Sequence, residues 1–272
     1  METFGQLVYE NGVYQTRPTL LSPLARRLPS LIFYAKFITI IWKASIKGKH
    51  GRYASPQWIQ SGTDVIHALE SIGVRLTIRG VKHLREFDGP CVIVSNHMSM
   101  LETTILPAIV PPLKEATFVV KESLLTYPVF GHVMKAFNPI PVTRANVRHD
   151  FKLMMEGGLE RLQAGISLII FPQTTRTLHF DPAEFNSIGV KLAKRANVPL
   201  VPLALISDAW QNGRMLKDFG KLDASREVKL CFGQPLRVNG RGDEEHQQVL
   251  DFIQQFLLKE RGAEIMPIDR NA

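Results

Sequence analysis

Cys91-Val-Ile-Val94 is a short apolar run, mostly β-branched, that breaks off into Ser95-Asn96-His97, with Ser99-Met-Leu-Glu102 directly after it. The run predicts a buried strand. The S-x-x-E spacing predicts a capping box that opens a helix. Together they put a histidine in a strand-to-helix turn at the carboxyl edge of a sheet, with a carboxylate five residues on. Ligand crevices of open α/β sheets lie at that edge. A histidine there can act as a general base, and a carboxylate can fix its tautomer and orientation. The capping box alone also accounts for Glu102, and the two readings are compatible, because an anion in the first helical turn can reach back to His97.

The rest of the chain alternates in the same way. Serine-proline at 55–56 starts a helix whose Trp58, Val65, Leu69 and Ile72 share a face. Val74, Leu76 and Ile78 alternate with Arg75, Thr77 and Arg79, as in a half-exposed strand. Further strands are expected at Thr117–Val120, Ile140–Val142, Ser167–Phe171, Leu200–Ile206 and Val228–Phe232. Helices are expected from about Met100 to Ile109, from Pro128, from an Asp150 cap to about Ala164, at 186–196 and at 243–259. The tail from Gly262 reads as frayed. This order predicts an α/β fold with a mostly parallel central sheet flanked by helices. Residues 80–235 offer no linker. We expect a catalytic domain over 53–272 and a helical, membrane-associating extension over 1–52.

That extension holds much of the charge. Arg17, Arg26, Arg27, Lys36, Lys43, Lys47, Lys49 and Arg52 face only Glu2 and Glu10, which makes +6 of the chain's net +8. Such clustering points to a polyanionic partner, nucleic acid or an anionic membrane. The interleaved aliphatics of Leu28–Ile46, with Trp42 and flanking cations, favour a helix lying in a membrane interface. A helix docked on the protein's own core and a spanning helix are the alternatives; Lys36 and Lys43 weigh against spanning. Residues 1–18 read as a loose arm and 47–52 as a hinge. The first residues lack the basic, then apolar, pattern of a secretory signal. Cys91 and Cys231, the only cysteines, sit in apolar runs and suit a reducing compartment.

Other strand ends carry Lys121, the loop Gln173-Thr174-Thr175-Arg176, and Arg144 after the Ile140–Val142 piece. Three cations beside a base suggest an anionic ligand such as a phosphate. Serine-hydrolase elbows, phosphate-binding G-x-x-x-x-G-K loops and H-E-x-x-H zinc motifs are missing. Asp243-Glu-Glu-His246 reads as a charged helix start rather than a metal site.

At these residues the chain resembles the glycerolipid acyltransferases, the family of 1-acylglycerol-3-phosphate acyltransferase and its bacterial lysophospholipid-acylating relatives. The family's N-H-x-S-x-x-D stands here as Asn96-His97-Met-Ser99-Met-Leu-Glu102. Its lysine, P-x-x-G and arginine stand as Lys121, Pro128-Val-Phe-Gly131 and Arg144. Its F-P-E-G-T-R-S stands as Phe171-Pro-Gln173-Thr174-Thr175-Arg176-Thr177, and its proline-flanked strand as Val198–Leu203. The match spans about 75–235. It implies an acyltransferase that moves a fatty acyl group from acyl-CoA or acyl carrier protein, as co-substrate, to a hydroxyl of a lysophospholipid or related glycerolipid. No cofactor, metal or nucleic acid is implied. His97 and Glu102 would be catalytic. Asn96, Ser99, Lys121, Arg144, Gln173, Thr174, Thr175 and Arg176 would serve the substrates. The site would lie peripherally or monotopically at the cytoplasmic face of a membrane. Two departures stand out. Glu102 adds a methylene to the family's aspartate, and Gln173-Thr174 replaces Glu-Gly, which implies an altered acceptor site. The competing reading is a catalytically impaired member that binds lipid or acyl carrier.

Overall fold

The computed structural model describes residues 1–173, 175–213 and 216–262. Short strands β1 (Glu2–Phe4) and β2 (Leu7–Tyr9) form an antiparallel pair, and β3 (Val13–Gln15) follows. Helices α1 (Pro23–Arg27), α2 (Pro29–Lys49) and α3 (Ser55–Glu70) precede β4 (Leu76–Arg79) and β5 (Val92–Ser95). Next come α4 (Leu101–Ile109), β6 (Ala116–Lys121), α5 (Phe130–Lys135), β7 (Ile140–Val142), α6 (Val147–Gln163) and β8 (Ser167–Ile170). The chain continues through α7 (Ile188–Ala196), β9 (Leu200–Ile206), β10 (Val228–Phe232) and α8 (Asp243–Arg261).

Among the described residues the main sheet has eight strands, ordered β3-β4-β10-β9-β5-β8-β6-β7. Only β3–β4 and β9–β10 pair antiparallel; the other neighbours are parallel. The central strand β5 lies between β8 and β9, and all three are buried along their length. Parallel strands covered on both faces must be continuously apolar, which is the pattern of Val92–Val94, Leu168–Ile170 and Leu200–Ile206. Their common direction gathers the carboxyl ends of β5, β6, β7, β8 and β9 at one edge. One group of helices, α2 to α5, packs together; α6 and α7 pack on each other and against the sheet, and α8 packs against β9.

Several expectations are corrected. Residues 1–18 are no loose arm: Phe4, Leu7 and Tyr9 are buried, and β3 extends the main sheet by pairing with β4. The alternation over 74–79 holds at every position but one: Val74, Leu76 and Ile78 are buried and Arg75 and Arg79 exposed, and only Thr77 departs from it. Thr77 is buried and donates to Glu227 at 2.8 Å. The proposed hinge belongs in large part to α2, which runs on to Lys49. The cap of α6 is Asn146, whose side chain accepts from His149 N, while Asp150 reaches back to Thr143 and Arg144. In α8, where the sequence puts Val249, Phe252, Ile253 and Phe256 on one face, the buried residues are Val249, Leu250, Ile253 and Leu257, and Phe252 and Phe256 are only partly covered. The tail expectation falls on residues 263–272, outside the described residues.

The apolar helix α2 has two faces. Phe33 and Phe37 are fully buried and meet Trp210 edge-on, both at 4.9 Å between ring centroids. Leu31, Ile38, Trp42 and Ile46 form an exposed stripe on the other side, 46–62% exposed. Its length and apolarity would suffice to cross a membrane.

Candidate active site

The turn after β5 is held by its own polar residues. Asn96 is buried, and its amide makes both possible bonds to the backbone of Leu205 in β9: Nδ2 donates to the carbonyl at 2.9 Å, and Oδ1 accepts the N–H at 3.0 Å. Gln173, buried at the end of β8, accepts the N–H of His97 at 2.7 Å. Thr177 N donates to the His97 carbonyl at 3.0 Å, and Asn212 Nδ2 to that of Met98. The segments at the ends of β8 and β9, the two strands that flank β5, thus fix this turn.

The S-x-x-E expectation is met in one of its two bonds: Glu102 reaches back to the Ser99 N–H, but Ser99 Oγ accepts from Leu101 N rather than from Glu102 N, and α4 opens after Met100. Glu102, in the first turn of α4, accepts from the N–H groups of Met98 (2.7 Å) and Ser99 (3.0 Å), and Ser99 Oγ accepts from Leu101 N. Glu102 Oε1 also lies 2.8 Å from His97 Nδ1. The Glu102 side chain is 1% exposed and that of His97 14%. Burial pushes the Glu102 carboxyl up, but the hydrogen bond and charge of His97, the Ser207 hydroxyl and the Ser99 N–H outweigh it and hold the group below the ordinary carboxylate range. An ionised carboxylate only accepts, so Nδ1 carries the proton and Nε2 is left as the basic nitrogen. The imidazole stacks on Phe171 at 4.4 Å between ring centroids, which restricts rotation of the ring.

The cations line the same edge. Lys121 ends β6 beside Val142 of β7 and is exposed. Arg144 has a left-handed backbone, φ 60°, and its N–H donates to Asp150 Oδ2 at 2.7 Å. Such a conformation is unfavourable for a non-glycine residue and tends to be stored at functional sites. Burial and the neighbouring Arg176 guanidinium lower the Arg144 pKa. Arg176 donates to Asp218 Oδ1 at 2.5 Å, so the cations at this edge are not all uncompensated. Thr175 is exposed, and Thr174 lies outside the described residues. The P-x-x-G turn also has a physical basis: a Cβ on Gly131 would sit 2.5 Å from the Leu125 carbonyl oxygen.

Asn96 and Ser99 therefore bond protein atoms rather than facing a ligand, and so does the Gln173 oxygen. Sequence reasoning passed over Ser207, Asp218 and Asn212, all in the segment between β9 and β10. The rule that found His97, polar residues at the end of an apolar strand, applies equally to Ser207-Asp208 after β9.

Residues 75–206 match the family model described as Acyltransferase. A 1-acyl-sn-glycerol-3-phosphate acyltransferase of Pseudomonas aeruginosa is 28% identical over 198 residues, 73% of each chain. The human 1-acyl-sn-glycerol-3-phosphate acyltransferase beta is 29% identical over 135 residues, 50% of this chain and 48% of that one. The crystal structure of the 1-acyl-sn-glycerophosphate acyltransferase PlsC from Thermotoga maritima shares the fold, with a TM-score of 0.63 at 18% identity over 88% of this chain and 98% of that one.

Proposed function

The chain carries an acyltransferase domain, and on that premise we propose that it moves a fatty acyl group from an acyl thioester to a hydroxyl of a lysophospholipid with an anionic head. The observation that carries this reading is the His97 Nδ1–Glu102 pair at 2.8 Å, at the carboxyl edge of the sheet, in a histidine whose side chain keeps 14% exposure and whose Nε2 is the basic nitrogen. His97 Nε2 takes the proton of the acceptor hydroxyl as that oxygen attacks the thioester carbonyl. The tetrahedral intermediate collapses with formation of the C–O ester bond and cleavage of C–S. The leaving thiolate recovers the proton from the imidazolium, which Glu102 stabilises. The reaction needs a base rather than a nucleophilic side chain, which suits the histidine-carboxylate pair.

Arg144 and Arg176, with Lys121 at the end of the neighbouring strand, are the groups we assign to the anionic head. The names of the relatives favour 1-acylglycerol-3-phosphate as the acceptor to try first. Acyl-CoA and acyl carrier protein are the donor classes, one thioester chemistry on two carriers. The exposed stripe Leu31, Ile38, Trp42 and Ile46, together with the basic residues of 1–52, is the surface by which the enzyme would rest on an anionic cytoplasmic membrane face, where lipid substrate and product reside.

The test follows free thiol release from a long-chain acyl-CoA or acyl carrier protein, with a panel of lysolipids as acceptors and mass spectrometry of the products. General-base help is worth about 10²–10⁴-fold. His97→Ala should therefore lose at least roughly that factor while its far-ultraviolet circular dichroism stays unchanged. Near-wild-type turnover in the variant would rule out the assigned role. Absence of product with every donor and acceptor would favour the competing lipid-binding reading.

A further inference from the structure

The second oxygen of Glu102 is held from outside its own motif. Ser207, the first residue after β9, is buried and donates from Oγ to Glu102 Oε2 at 2.5 Å. Ser99 Oγ lies 3.0 Å from the same Oε2, but also 2.9 Å from Ser207 O and 2.9 Å from Ser207 Oγ. Ser99 has one hydroxyl proton for three acceptors, and its oxygen already accepts from Leu101 N. Ser207 is therefore the committed hydroxyl donor to Oε2.

Ser207 is in turn fixed by its neighbour. Asp208 is 4% exposed and takes the Arg261 guanidinium two-pronged, Nη2 to Oδ1 at 2.6 Å and Nη1 to Oδ2 at 2.9 Å. Arg226 Nη1 also donates to Oδ2. Fork-to-carboxylate pairing is geometrically strict. The end of α8 and the residues just before β10 thereby hold the backbone from which Ser207 projects.

We propose that Ser207 is a positioning residue for acyl transfer, setting the rotation of the Glu102 carboxylate so that Oε1 stays on His97 Nδ1. The inference rests on the reading of His97 as the general base. A glutamate has one more side-chain torsion to fix than an aspartate. Oε1 is shared among His97, Met98 N and Ser99 N, the last also lying 3.2 Å from Oε2 and so favouring neither oxygen strongly, and turning the carboxylate about its last bond would carry Oε1 off the imidazole. A donor on Oε2 blocks that turn.

The test compares Ser207→Ala, Ser207→Cys and Ser207→Thr in the full-length protein. Two readouts are taken: the acyl-transfer assay above and the downfield proton resonance of His97 Nδ1–H, assigned by its loss in His97→Ala. Ser207→Ala should lower kcat about tenfold with KM for the lysolipid unchanged, and should broaden the resonance. Thr restores the hydroxyl and should recover both. Cys, a weak donor, should fall between and serves if the Ala variant folds poorly. Wild-type kcat and resonance in Ser207→Ala would overturn the proposal, and so would a loss of kcat that Thr fails to recover while the resonance is unmoved. If the wild type transfers no acyl group yet the resonance responds as stated, the assigned reaction falls and the positioning role stands.

Discussion

Glu102 has its charge stabilised by its hydrogen bonds and by the charge of His97, against a burial that by itself raises its pKa. Its folded pKa lies below the ordinary value of about 4.3 for glutamate. The unfolded chain therefore binds the proton more readily, and the stabilisation is full above that value and lost as pH falls through the folded one. Glu102→Gln keeps the shape but loses the charge and turns one acceptor into a donor facing the Met98 and Ser99 N–H groups or Ser207. Each buried group left unpaired costs about 1–3 kcal/mol. Urea unfolding at pH 7 should show the variant destabilised by that order, and the gap should narrow below about pH 4. A gap independent of pH would mean that the carboxylate charge contributes nothing to the fold. Asp150 offers a second check at this scale. It accepts from Thr143 N, Thr143 Oγ1 and Arg144 N at 2.7–2.9 Å, and so holds Arg144 in its left-handed conformation. Asp150→Ala should raise KM for an anionic acceptor roughly tenfold, about 1.4 kcal/mol, with kcat little changed. A fall in kcat at constant KM would place Arg144 in the chemistry instead.

At the level of elements, α2 separates two roles by face, and the two can be measured apart. Phe33 is fully buried against Trp210 and Phe37, so Phe33→Ala should cost about 3–5 kcal/mol in unfolding experiments. Leu31→Ser, Ile38→Ser and Trp42→Ser alter only the exposed stripe and should each stay within about 0.5 kcal/mol of wild type. Combined, they should abolish sedimentation with anionic vesicles; retained sedimentation would remove the stripe from the membrane reading. The sequence showed that this segment was a helix and that it was apolar, because both follow from composition over twenty residues. It did not show which face is docked, since Phe33 and Ile38 are equally apolar and only the position of Trp210, far along the chain, distinguishes them. The same limit explains the other misses. The strands around His97 were legible because each is a continuous apolar run. β1 to β3 were not, because strands of three residues carry no periodicity: β1 and β2 form by pairing with each other, and β3 only where β4 offers a free edge. The histidine-carboxylate pair was legible because six consecutive residues of one strand-to-helix turn contain it. Ser207 and Asp218 reach the site through pairing of β9 with β5 and through a long connection, neither of which is local.

For the whole molecule, the amino-terminal 52 residues cannot be treated as a detachable anchor. β3 is a strand of the main sheet, and Phe33, Phe37 and Ala44 of α2 belong to the common core. The helix is also tied to the site: Tyr34 donates to the Gly220 carbonyl, and Leu222 N donates to Ser30 Oγ. That same connection between β9 and β10 supplies Ser207 to Glu102, Asn212 to the turn that carries His97 and Asp218 to Arg176. The surface assigned to the membrane and the residues assigned to the chemistry therefore share one segment. Deleting residues 1–47 should thus abolish cooperative thermal unfolding and activity together, rather than release an intact enzyme from vesicles. A truncated protein that unfolds cooperatively and turns over soluble, short-chain acceptors would show the extension to be separable after all. Salt offers the complementary test on the intact chain. With +6 of its net +8 charge in this region, vesicle binding should weaken steeply as ionic strength shortens the Debye length from about 30 Å at 0.01 M to about 10 Å at 0.1 M. Turnover of a soluble acceptor over the same range should change far less, because the His97–Glu102 pair is buried and screened little by salt. Equal losses in binding and in turnover would mean that salt acts on the site itself, and the basic extension would lose its role as a membrane-facing charge.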